Sequence, residues 1–91
     1  MAIRRREQVR NEILLQCYGY RPGARDAERM ATTCRREGEL TDAQAGEFDR
    51  EAAYLEDKGL VELARDGTAR DHKRWTITAA GIDYLEEAGL V

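Results

Sequence analysis

Few residue types in this chain could do covalent chemistry, and their spacing gives them little to work with. The 91 residues contain no Ser, one His and two Cys. His72 sits in a charged stretch with no acid or thiol spaced to form a nucleophile pair. Cys17 and Cys34 have no neighbouring Cys or His, so zinc spacing is absent and no metal is expected. No Gly-rich phosphate loop occurs, and the acid pairs Glu56-Asp57 and Glu86-Glu87 read as surface. An enzyme is not expected, and neither is a cofactor. What remains is charge. Arg4, Arg5, Arg6 and Arg10 form a basic cluster that either grips phosphates or is solvated. Arg65, Arg70, His72, Lys73 and Arg74 form a second, diluted by Asp66 and Asp71. Arginine and lysine clusters are the residues that neutralise a phosphate backbone.

Charge is segregated along the chain. Residues 1–36 hold nine Arg against four acids, a net +5, while residues 37–64 hold nine acids against Arg50 and Lys58, a net −7. Residues 65–91 hold four bases against five acids, and the whole chain stands at −3. Such asymmetry suits electrostatic partners or self-association, although a solvated surface has the same look.

The elements that must position these charges are legible from pattern. One domain over residues 1–91 is expected at this length, burying ~60–65% of its unfolded surface. Residues 4–20 read as a first helix with Val9, Ile13, Cys17 and Tyr20 inward and Leu14 widening the stripe, while Glu7, Gln8, Arg10 and Glu12 face solvent. Tyr20-Arg21-Pro22-Gly23 breaks it, and a residue or two there could pair as a rudimentary edge strand. Ala24 to Glu37 reads as a second helix, Asp26 its possible N-cap and Ala27, Met30, Ala31 and Cys34 its inward stripe. The third helix, 41–58, is the centre of the pattern. Thr41 and Gln44 have capping-box spacing, Ala45, Phe48, Ala52 and Leu55 draw one apolar stripe, and Gly59 supplies the left-handed stop. Strands at 60–65 and 74–77 then flank a hairpin tip at Gly67, with Trp75 and Ile77 inward. Thr78 caps a closing helix to Ala88, with Ile82 and Leu85 inward. Trp75 reads as a core anchor in preference to a base-stacking platform. Both thiols read as buried and reduced, as in a cytoplasmic protein, and neither a membrane span nor a signal peptide is expected.

The run YLEDKGLVEL, a charged hairpin, then RWTITAAGIDYLEEAGL resembles the second half of bacterial winged helix-turn-helix regulators. The shared pattern is Leu55, Lys58, Gly59, Leu60 and Val61, then Ile77, Thr78 and Gly81. The resemblance is nearest to small ArsR- or MarR-like regulators, especially the short phage-related ones of Mu-like prophages. It covers the whole chain in element order, with its motifs in residues 54–85. It implies a mainly α winged helix-turn-helix with a small β-hairpin. It also implies a transcription regulator that binds double-stranded DNA, with the third helix in the major groove and the wing on the backbone. Carried over by position, the readers would be Thr41, Asp42, Gln44, Glu47 and Arg50, and the wing contacts Arg65, Arg70, His72, Lys73 and Arg74. A homodimer through the first and last helices would follow the same pattern. Metal-sensing relatives use clustered Cys or His, which this chain lacks. One departure matters: from Thr41 to Lys58 there are six acids against two bases, a face that a phosphate backbone repels. That leaves a winged-helix module binding a basic protein as the alternative.

Overall fold

The computed structural model describes residues 4–64 and 73–91. Its elements run α1 (Arg5–Gly19), β1 (Arg25–Asp26), α2 (Ala27–Glu37), α3 (Ala45–Asp57), β2 (Val61–Leu63), β3 (Arg74–Ile77) and α4 (Ala79–Glu87). The three strands form one antiparallel sheet in the order β1-β3-β2. Register puts Arg25 opposite Trp75 and Asp26 opposite Arg74, with Val61 opposite Ile77 and Leu63 opposite Trp75. Gly67, the expected hairpin tip, lies outside the described residues.

The core is built where the period-3.6 and period-2 patterns meet. Val9, Ile13, Leu14 and Cys17 of α1, Met30, Ala31 and Cys34 of α2, and Phe48, Ala52 and Leu55 of α3 are all buried. Val61, Trp75 and Ile77 close this core from the sheet and Leu85 from α4. Trp75 is therefore a core anchor. Cys17 donates to the Trp75 carbonyl oxygen at 3.6 Å, and burial raises that thiol to about 11. Cys34 lies between α1 and α2, where burial and then the adjacent Glu12 carboxylate raise it to about 12. Both are free thiols.

Asp26 does cap α2, accepting from the Arg29 N–H at 2.7 Å, and Thr78 caps α4, accepting from Gly81 N–H at 3.1 Å. The edge strand forms two residues later than the Tyr20–Gly23 break, at Arg25 and Asp26. It consumes the residues expected to begin the second helix, so α2 starts at Ala27. Tyr20, expected inward, is 46% exposed, because α1 ends at Gly19 and the chain turns there. Arg10 and Glu12, expected in solvent, are half-buried against α3 and α2.

The third helix departs most from expectation. It starts at Ala45, and Thr41 is no N-cap. Gln44 holds the cap position without a side-chain hydrogen bond to the helix. The reason is packing. Leu40 and Ala43 are both buried, and a turn closed by Ala43 N–H to the Leu40 carbonyl oxygen at 3.1 Å places them there. The Arg35 guanidinium donates to the Ala43 carbonyl oxygen and fixes the turn from α2. Burying two apolar residues outweighs a cap, which is worth only ~0.5–2 kcal/mol.

The junction after α3 explains the run Gly59-Leu60-Val61 with Thr78 and Gly81. Gly59 takes φ 78°, a left-handed value that costs other residues dearly, and stops the helix. The Thr78 hydroxyl then donates to the Gly59 carbonyl oxygen at 2.7 Å, and Thr78 N–H donates to the Leu60 carbonyl oxygen at 3.1 Å. The same Leu60 oxygen lies 2.2 Å from where a Cβ on Gly81 would sit. This one junction sets the angle between α3, the sheet and α4.

Candidate nucleic-acid interface

Helix α3 has three longitudinal faces outside its buried stripe. Its outermost ridge is Gly46, Arg50, Ala53 and Asp57, all exposed and at spacings of three and four. Gly46 and Ala53 are small, so Arg50 is the one long side chain standing on the first two turns of that ridge. Arg50 has no ion pair or hydrogen-bond partner among the described residues. A flank facing α2 and the sheet carries Ala45, Asp49 and Glu56. The flank facing α1 carries Glu47, Glu51 and Tyr54.

That last flank answers the problem of the acidic third helix. Arg5 donates Nε and Nη2 to the two carboxylate oxygens of Glu47, at 2.8 and 2.9 Å, and Nη1 to Asp42 at 2.9 Å. Its guanidinium pKa is pushed up by the Glu47 and then the Asp42 hydrogen bonds. The Asp42 carboxyl is in turn held below its ordinary range, chiefly by the Arg5 hydrogen bond. One turn further along, Arg10 Nε donates to Glu51 at 2.7 Å. Glu51 is 6% exposed, the only buried charged residue among those described, and Arg10 also stacks 3.6 Å above the Tyr54 ring. The bidentate Arg5–Glu47 pair is geometrically specific, and Arg10 meets Glu51 through one charge-assisted hydrogen bond. Three of the six acids from Thr41 to Lys58 are thus bridged by two arginines of α1. The positive segment and the negative segment meet within one chain.

The expected site residues fall as follows. Gln44 is exposed at the N-terminal end of α3 and Thr41 is exposed on the turn before it. Glu47 accepts from Arg5 with both carboxylate oxygens, and Asp42, more exposed, with one. Lys73, exposed just before β3, lines a small cleft with Ala27, Glu28, Ala45, Gly46 and Asp49. The first turns of α2 and α3 and the root of the hairpin therefore converge on one face. Arg74 lies in β3 and faces the neighbouring groove beside α2. Arg65, Arg70 and His72 lie outside the described residues. Sequence reasoning missed the bridging roles of Arg5 and Arg10, for which the opposed net charges of the two segments were the available signal. Arg25, Arg29 and Arg36, arrayed at spacings of four and seven along β1 and α2, were also missed.

Among the described residues, no helix is long and apolar enough to cross a membrane. No group of three or more His, Cys, Asp or Glu among the described residues is placed to hold a metal ion.

No protein-family model and no curated protein sequence matches the chain. Among solved structures, the chain is similar to a transcriptional regulator from Clostridium thermocellum, with a TM-score of 0.74 and 19% sequence identity over 96% of this chain and 84% of that one. The element order, the three-stranded sheet and this likeness make the fold a winged helix-turn-helix.

Proposed function

We propose that this winged-helix chain, a single non-enzymatic domain, binds double-stranded DNA as a transcription regulator. Helix α3 enters the major groove, and the β2–β3 hairpin lies over the adjacent backbone with Lys73 and Arg74 at its root. The observation that carries this reading is the outer ridge of α3. Its acids on the α1 flank are bridged by Arg5 and Arg10, while Gly46 and Ala53 leave Arg50 free to reach a base edge. Arginine to guanine and glutamine to adenine are favourable bidentate readouts, so Arg50 and Gln44 are the two assigned base readers. Thr41, on the turn before them, is placed for a phosphate or sugar contact. The ArsR- or MarR-like, phage-related resemblance and a two-fold homodimer on matching half-sites belong to the same reading. Arg65, Arg70 and His72 would extend it along the hairpin.

Selection of bound duplexes from a random pool tests it. The wild-type protein should enrich a common sequence. Gln44→Ala and Arg50→Ala should each flatten that preference, by ~1–3 kcal/mol of discrimination at one base position. A wild type that enriches nothing, or variants that leave the preference unchanged, would contradict the assignment. Binding to a basic protein in place of DNA, through the unbridged Asp49, Glu56 and Asp57, would then be the better account.

A further inference from the structure

A second charged surface lies outside α3. An open groove of about 870 Å³ runs between the solvent face of α2 and the strand edge. Four arginines line it, Arg25, Arg29, Arg36 and Arg74, against the two carboxylates Asp26 and Glu28. Asp26 is already engaged as the α2 cap and pairs loosely with Arg29 at 3.6 Å. Arg36 has no ion pair among the described residues. Arg25 is held in place before any ligand arrives. Its Nη2 donates to the Thr33 hydroxyl at 2.7 Å and its guanidinium lies over the Tyr20 ring at 5.2 Å. A guanidinium already ordered by Thr33 and Tyr20 loses little further entropy when its exposed nitrogens meet an anion.

We infer that this groove is a phosphate-binding site that takes the sugar-phosphate backbone of duplex DNA flanking the bases read by α3. The inference rests on the DNA-binding reading and deepens it. The groove and the cleft at the first turn of α3 share Asp26 and Glu28 as lining residues, so the two surfaces are continuous. Arg29 and Arg36 stand two helical turns apart, a rise of ~10 Å. One DNA strand carries a phosphate for every ~3.4 Å of helix axis, so guanidiniums this far apart would meet separate phosphates of one strand. The groove is open along its length, as a polymer requires, and does not enclose a small anion. The Thr32 and Thr33 hydroxyls supply neutral donors beside the arginines. With the α3 ridge offering Arg50 alone among its long side chains, this groove holds more of the described cationic charge than the recognition helix does.

The test is a fluorescence-anisotropy titration of the full chain against two unrelated duplexes over a range of salt, with folding of each variant checked by its thermal melt. The Arg29→Ala, Arg36→Ala double variant removes two exposed side chains. The slope of log K against log salt should become shallower by ~1.8, at about 0.9 per lost phosphate contact, with equal weakening on both duplexes. Glu28→Gln, which removes an acid from the same groove, should tighten binding to both. A double variant that keeps the wild-type slope while the wild type binds DNA overturns the inference and leaves the DNA reading standing. Weakening confined to one duplex also overturns it, since that marks a base reader. A wild type that does not bind either duplex at low salt overturns both.

Discussion

Gly81→Ala should lose about 3 kcal/mol of folding stability, at the top of the range for overpacking a filled site. The added methyl would lie 2.2 Å from the Leu60 carbonyl oxygen and 2.7 Å from Ile77 Cγ1. The first of these is backbone, so it cannot rotate away. It is also the acceptor of the Thr78 N–H, so moving it breaks the junction that joins α3, the sheet and α4. A domain of this size has only ~5–15 kcal/mol in all, so the loss is a large fraction of its stability. Urea unfolding measures it directly, as a fall in the midpoint. Gly46→Ala is the matched control. A Cβ there meets nothing within 4 Å, so the change should stabilise the helix by ~0.5–1 kcal/mol. A Gly81→Ala protein as stable as the wild type would show that the Leu60–Gly81 contact is not the fixed point of the fold.

Arg10→Ala should cost about 2–4 kcal/mol. Breaking a buried ion pair by removing one partner typically costs ~3–5 kcal/mol, because the other charge is left uncompensated. The lower figure reflects an Arg10 side chain that retains 22% exposure, whereas that of Glu51 retains 8%. Arg10→Ala also loses the stacking of the guanidinium over Tyr54. The double variant Arg10→Ala, Glu51→Gln separates the two contributions. Neutralising Glu51 should recover much of the loss, since an amide costs less to bury than an unpaired carboxylate. If the double variant is no better than Arg10→Ala alone, the stranded charge is not the cause and stacking is.

The sites that were legible in the sequence are those decided locally. Asp26 and Thr78 cap helices because a short oxygen-bearing side chain can reach an N–H three residues on. Gly38, Gly59 and Gly89 stop helices with φ of 79°, 78° and 72°. Trp75 and Ile77 alternate inward as a half-buried strand requires. Thr41 misled because its local merit as a cap competes with the burial of Leu40 and Ala43, and burial depends on partners far away in sequence. The charge balance of the third helix was illegible for the same reason. Arg5 and Arg10 lie 42 and 41 residues from Glu47 and Glu51, and only the packing of α1 on α3 brings them together. Residues 37–64 look repulsive to DNA when counted along the chain. Counted in space, the bridged acids drop out and the surface charge of α2 comes into view.

The central claim is that a chain of net charge −3 nonetheless binds DNA, because three of the acids beside the recognition helix are bridged by Arg5 and Arg10 while α2, α3 and the root of the hairpin present exposed bases. The most direct measurement is the affinity of the wild-type chain for a duplex as salt is raised from low to physiological concentration. Phosphate contacts from Arg29, Arg36 and Lys73 alone would displace enough counterions to give log K a linear fall with a slope of about −3 or steeper against log salt, at about 0.9 per contact. Absence of binding at low salt, or binding that ignores salt, would contradict the account.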